Sequence, residues 1–264
     1  MKKIKVCHLY PDAMNLYGDV GNIIAIKKRC EWRGFGCEIV DLKIGDQANF
    51  KDVDIIFMGG GQDRGQMAVA KHLVKRSKLL KEAVESDVAV LTICGGYQLF
   101  GKYFKTSDGV EIPGIGIFDA FTEASNQRMI GNVLVDCRRT TSHWASMHKF
   151  SLLEKMHASL VGFENHSGKT ILGPTAYPLG HVIKGYGNDG KGTLEGCQYR
   201  NAFGTYLHGS LLPKNPWFAD HLIILSLRHR YGSDFELPEL NDEIEIMAHN
   251  AARDRVYTAK VDHI

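Results

Sequence analysis

The chain has little that would mark a secreted, membrane-spanning or nucleic-acid-binding protein. Its six cysteines, Cys7, Cys30, Cys37, Cys94, Cys137 and Cys197, show no Cys-x-x-Cys spacing. That scatter argues against a disulfide framework and suits a reducing cytoplasm. No apolar run reaches membrane-span length. The start, Met1-Lys2-Lys3-Ile4-Lys5-Val6, passes from basic residues straight into a short strand pattern, too brief and interrupted for a signal peptide. Charge of one sign is also lacking. Lysine and arginine total 32 against 30 aspartates and glutamates, a net charge of +2, so electrostatics gives no reason to expect nucleic acid. The glycine-rich stretch 185–192 has neither a Walker lysine nor a Rossmann fingerprint, so no nucleotide site is expected on this chain. His143 and His148 flank Trp144 and His157 follows, yet no carboxylate or cysteine stands at metal-ligand spacing, and no metal is expected. No internal repeat or low-complexity tract is visible.

What is present suffices for a sizeable core. At 264 residues and 44% hydrophobic content, the chain can form one large domain or a domain with an appendage. The first hundred residues alternate strand and helix signals: strands at 4–10, 38–42, 53–58 and 88–93, helices at 20–33 and 66–85. This alternation predicts an α/β fold with an open, mostly parallel sheet and helices on both faces. Ligands of such sheets bind at the carboxyl ends of the strands. The second half predicts shorter, turn-rich strands at 114–118, 129–136, 160–164, 180–185, 194–199 and 202–207, then a helix over 215–231. Residues 1–232 read as one domain, and 233–264 as an acidic, proline-containing link and a charged helix over 241–257, a C-terminal helical tail.

The most informative stretch is Ile93-Cys94-Gly95-Gly96-Tyr97-Gln98, where an apolar strand stops and a helical pattern begins. A cysteine on such a turn has its sulfur at the sheet edge, near the positive end of the following helix, which favours the thiolate. A free cysteine on its own is more often a small buried hydrophobe. Context argues otherwise here. Gly59-Gly60-Gly61-Gln62-Asp63 closes a neighbouring strand, and Leu207-His208-Gly209 closes another. Together they offer a thiol, a base within reach and backbone donors for an oxyanion.

These residues resemble the class I (triad) glutamine amidotransferases, whose sheet is flavodoxin-like. Gly162-Phe163-Glu164-Asn165-His166-Ser167-Gly168 is similar to a Gly-Tyr-Glu-Ile-His-x-Gly pattern of the cobyric-acid-synthase-like branch. The opening stretch from Tyr10 to Asn22, with the 59–63 glycine cluster, resembles the free-standing glutaminase subunits that serve a Mur-ligase-like (MurT) synthetase amidating the D-glutamate of lipid II. The resemblance covers about the first 230 residues. It implies that Cys94 attacks the side-chain amide of L-glutamine and that His208 is its acid–base partner. It further implies that backbone amides of Gly60 and Gly95 hold the oxyanion, and that Arg128, with Gln98, recognises the substrate. ATP and magnesium would belong to the partner, with no cofactor on this chain, and work on a lipid-linked substrate would place the protein at the inner face of the membrane.

One departure stands out. Many members carry a glutamate two residues after the histidine, and here that residue is Ser210. A Cys–His dyad, a carboxylate elsewhere or a contribution from the partner all remain open, with Glu164 the favoured orienting acid. The basic run from Lys71 to Lys81 reads as a solvated helix face, or as attraction to an anionic membrane surface. Competing functions are ammonia supply to another acceptor such as a corrinoid, a catalytically idle regulatory subunit, and a thiol peptidase on a related fold.

Overall fold

The computed structural model of the chain describes residues 2–138 and 158–258. Its centre is a six-stranded sheet of β1 (Lys3–Leu9), β2 (Gly36–Leu42), β3 (Ile55–Met58), β4 (Ala89–Ile93), β11 (Cys197–Tyr199) and β12 (Ala202–Thr205). The spatial order is β11-β12-β4-β3-β1-β2, and every pairing is parallel except β11 with β12 at the edge. β3 and β4 are buried at every residue. Their unbroken apolar runs belong to strands covered on both faces, where alternation would mark a sheet with one wet face.

The helices follow from the crossovers. β1 leads through α1 (Val20–Trp32) to β2 on one side, while β3 leads through α2 (Asp63–Val74) and α3 (Ser77–Glu85) to β4 on the other. Right-handed crossovers running in opposite directions place α1 and the α2–α3 pair on opposite faces. The single helix expected over 66–85 is thus two helices, with a break at Lys75–Arg76. α4 (Gly95–Phe100) follows Cys94 directly, and α5 (Leu211–Lys214) and α6 (Pro216–Tyr231) follow β12.

The second half of the chain adds a second sheet. It comprises β5 (Tyr103–Lys105), β6 (Glu111–Pro113), β7 (Ala120–Asp136), β8 (Ser159–Leu172), β9 (Gly180–Lys184) and β10 (Leu194–Glu195). Its path is β10-β9-β7-β5-β6, with β8 paired antiparallel to β7 along most of its length. Residues 114–118 are not a strand: amides of Gly114, Ile115, Gly116 and Phe118 bond to carbonyls of Lys102, Leu99, Gly101 and Phe100 in a turning connection. The stretch expected at 194–199 splits at Gly196, whose φ of +67° directs β10 and β11 into different sheets.

The C-terminal helix α7 (Glu243–Thr258) packs back on the molecule. Just before it, Asp242 shares the buried guanidinium of Arg29 with Asp220 of α6, at 2.5 and 2.6 Å. His249 Nδ1 donates to the Lys214 carbonyl and its Nε2 accepts from Ser159 Oγ, while Val256 packs on Leu134 and Val161 of the β7–β8 pair. Among the described residues no helix is long and apolar enough to cross a membrane.

Candidate active site

Four strand ends of the parallel sheet converge on one edge. Asp19 sits in the loop after β1, Gly59–Gly61 follow β3, Cys94 follows β4 and His208 lies beyond β12. The order β12-β4-β3-β1 makes these strands consecutive neighbours, so residues more than a hundred positions apart share one crevice.

Cys94 has φ +49° and ψ −108°, a left-handed conformation that costs a non-glycine residue about 1–3 kcal/mol. Two hydrogen bonds hold it there. Its amide donates to Thr205 O at 2.8 Å, and its carbonyl accepts from Gln98 N at 2.9 Å as α4 begins. His208 is fully buried, and its backbone is clamped by the second sheet: His208 N donates to Phe163 O at 2.7 Å and Phe163 N donates to His208 O at 3.3 Å. Its side chain lies beside Cys94, both bordering Gly60, and Nδ1 faces Asp19 Oδ1 at 3.3 Å. Burial pushes the imidazole pKa down, but the Cys94 sulfur and the Asp19 carboxylate outweigh it and raise it to about 10. The site therefore favours an imidazolium beside the sulfur at neutral pH.

The carboxylate beside His208 is Asp19 and not Glu164. Glu164 is buried elsewhere, accepting from Tyr186 N at 2.6 Å and Gly187 N at 3.0 Å, with His166 Nε2 3.5 Å away. It braces the connection after β9. Ser210 Oγ donates to Gly18 O at 2.7 Å and so fixes the turn that presents Asp19. The position lacking an acid thus anchors the loop that brings one.

Gly60 also differs from its expected role. Its N–H donates to Asp19 Oδ2 at 2.8 Å and so is not directed at a substrate oxygen. What Gly60 provides is space: a Cβ there would lie 2.8 Å from His208 Cε1 and 3.4 Å from Cys94 Cβ. The amide next in line is that of Gly61, 3.0 Å from where a Cβ on Gly95 would lie. Gly61 N and Gly95 N are therefore near neighbours beside Cys94.

Cys94 opens into a cavity of about 430 Å³, whose lining includes Gln66, Gln98, Arg128, His166 and Gly168. Arg128 gets there through a register break in β7 between Ala124 and Met129, a bulge that frees it from the ladder. Its Nε donates to Asn165 Oδ1 at 2.7 Å. Gln98 lines the cavity with both ends of its amide committed: Oε1 accepts from Gln66 Nε2 and Nε2 donates to Tyr206 Oη, each at 3.1 Å. These bonds hold its neighbours in place, and the amide keeps a second N–H and a second lone pair beside the cavity. Tyr206 is stacked on His166 at 3.6 Å between centroids and hydrogen-bonded to Thr170 at 2.6 Å. From the sequence, Asp19, Gln66 and Tyr206 carried no assigned role. The available signal for Asp19 was its place after β1, at the same sheet edge as Cys94. Among the described residues no group of three or more His, Cys, Asp or Glu side chains could hold a metal ion. His143, Trp144, His148 and His157 lie outside the described residues.

A scan against family models matches residues 5–216 to the CobB/CobQ-like glutamine amidotransferase domain. The chain is 38% identical over 260 residues to the subunit GatD of lipid II isoglutaminyl synthase (glutamine-hydrolyzing) from Staphylococcus aureus, covering 98% of this chain and 99% of that one. It is 34% identical over 241 residues to the subunit of the same name from Streptococcus pneumoniae, covering 91% and 86%. Among solved structures, a glutamine amidotransferase from Thermotoga maritima superposes with a TM-score of 0.51 at 14% identity, over 97% of this chain and 92% of that one, a likeness of fold.

Proposed function

The chain belongs to the CobB/CobQ-like glutamine amidotransferase family, and from that premise we infer that it is the glutamine-hydrolysing subunit of a lipid II isoglutaminyl synthase. The observation that carries the chemistry is the buried array Cys94–His208–Asp19 at the mouth of a cavity that also holds Arg128.

The reaction follows from that array. L-Glutamine enters with its α-carboxylate toward the Arg128 guanidinium and its side-chain amide against Cys94. The Cys94 thiolate adds to the amide carbon, and the electron pair of the C=O bond moves to oxygen. The N–H groups of Gly95 and, in place of Gly60, Gly61 receive that oxyanion; one such donor is worth about 2.7–4 kcal/mol to a transition state of this kind. His208 passes a proton to the departing nitrogen, and the C–N bond breaks to give ammonia and a glutamyl thioester. Neutral His208 then takes a proton from water, whose oxygen attacks the thioester, and collapse of the second oxyanion releases glutamate and restores the thiolate. Asp19 holds the ring through Nδ1 and stabilises its charged form throughout.

The ammonia goes to a Mur-ligase-like synthetase subunit of the MurT type, which binds ATP and magnesium and amidates the D-glutamate of lipid II to D-isoglutamine. A lipid-linked acceptor places the complex in the cytoplasm at the inner face of the membrane. Two subunits suit the chemistry, because ammonia is mostly protonated at neutral pH and must be made where it is consumed.

The test assays this chain with its synthetase partner, measuring glutamate release and lipid II amidation for the wild type, Cys94→Ala and His208→Ala. Both substitutions are expected to stop glutamine use, while the Cys94→Ala complex still amidates lipid II from added ammonium. Glutamine hydrolysis surviving in Cys94→Ala would overturn the mechanism. Failure of ammonium to support amidation by a folded complex would overturn the ammonia-donor role.

A further inference from the structure

Arg128 reaches the cavity beside Cys94 from a bulge, and two contacts decide what it presents there. Between the pairs Ala124–Gly168 and Met129–His166, β7 sets residues 125–128 against Ser167 alone. Ser125 Oγ donates to Ser167 O at 2.9 Å and accepts from Gln127 N at 3.3 Å, which ties the bulge to β8. The side chain of Arg128 is held by Asn165, a residue of β8 that lines the same cavity. Nε donates to Asn165 Oδ1 at 2.7 Å. The amide orientation is unambiguous there, because Nε carries one N–H and cannot accept. Among the described residues the guanidinium makes no other hydrogen bond or ion pair.

A guanidinium can grip a carboxylate in two planar ways, side-on through Nε and one Nη or end-on through both Nη groups. With Nε taken, only the end-on pair is open. The bond at Nε also restrains an exposed, rotamer-rich side chain before substrate arrives, which lowers the ordering cost of binding. Asn165 does this as a neutral acceptor. An aspartate in its place would itself offset the charge that the substrate carboxylate needs. We propose that Asn165 is a positioning residue for substrate recognition: by occupying Nε, it aims the Nη1–Nη2 edge of Arg128 at the α-carboxylate of glutamine. This inference rests on the glutaminase reading above and deepens it, because Asn165 has no part in the proposed bond making at Cys94.

The test measures kcat and KM of the full chain, in complex with its synthetase partner, by ammonia release. The substrates are L-glutamine and 4-aminobutanamide, the same molecule without its α-carboxylate. Asn165→Leu, which keeps the size and removes the acceptor, is expected to raise KM for glutamine about tenfold with kcat within about threefold. For 4-aminobutanamide its kcat/KM should stay within about threefold of the wild type. Added to Arg128→Ala, the same substitution should cost less than about twofold, because no guanidinium remains to position. Equal losses with both substrates, or full additivity with Arg128→Ala, would show that Asn165 only shapes the cavity wall and would overturn the proposal. Should Asn165→Leu not fold, Asn165→Asp keeps the shape and the acceptor but adds a charge that competes with the substrate carboxylate. It must raise KM for glutamine with kcat intact, and a loss in kcat with KM unchanged overturns the proposal. An unchanged KM in Arg128→Ala would overturn the carboxylate clamp and the proposal together, while glutaminase activity stands. A wild-type complex that releases no glutamate from glutamine fails the functional reading itself, an outcome distinct from the others.

Discussion

The two sheets reach one cavity in different ways. The parallel sheet brings Asp19, Gly60, Cys94 and His208 in the connections after its buried strands, with Asp19 bonded to both Gly60 and His208, and Cys94 held by Thr205 and Gln98. The second sheet brings Arg128 from a bulge in β7 and His166 from β8, and Arg128 is exposed. In the proposed reaction, the groups that make and break bonds sit where short strands and backbone hydrogen bonds fix them. The group proposed to meet the substrate's outer end, Arg128, sits on a long ribbon at its register break. Turnover should therefore respond to the first set and substrate affinity to the second.

The sharpest way to break that division is Asp19→Asn. It removes a negative charge that helps hold the His208 pKa near 10. With that support gone the pKa falls, so the imidazolium is lost at lower pH. The kcat for glutamine is expected to drop by about 10²–10⁴ with KM little changed, and the alkaline limb of the pH–rate profile should move to lower pH. A pure KM effect would place Asp19 on the recognition side.

Arg128→Ala tests the other side and should raise KM by about ten- to a hundredfold with kcat nearly intact. Steady-state kinetics separates the two, and a kcat effect equal to that of Asp19→Asn would erase the distinction.

The smallest expected effect concerns the seam between the sheets. Glu195 of β10 is buried, and its Oε1 accepts from Thr205 Oγ1 and from Tyr206 N, each at 2.7 Å, just before His208. Burial raises its pKa from 4.5 to about 7, although Thr205 and the Tyr206 amide pull it down. Because the folded value lies above the unfolded one, the stability from the protonated form is present at low pH. It is lost as pH rises through the window between the two values. Unfolding free energies measured near pH 5 and near pH 8 should show wild type losing about 2 kcal/mol relative to Glu195→Gln, which has no proton to lose. A constant difference across that range would mean that Glu195 does not couple the sheets through its charge.

How much was legible follows from how local each feature is. Cys94 was readable because strand, nucleophile and glycine turn lie within a dozen residues. His208 was readable because it too follows a strand directly. Asp19 was not, since it meets His208 across 189 positions of sequence and only the placement of β1 two strands from β4 brings it near. Glu164 looked suitable because it neighbours a histidine in sequence, yet it faces backbone amides of 186 and 187. The helix over 66–85 read as continuous because its apolar spacing carries across the break.

Local sequence accounts for the parallel α/β half, the Cys94 turn and the histidine beyond a strand end, because hydrophobic period and strand-end glycines act over a few residues. Strand order, by contrast, decided which carboxylate faces His208 and which amides stand beside Cys94. Those outcomes depend on strand order and on who takes each hydrogen bond first, and neither is written at any one place in the chain.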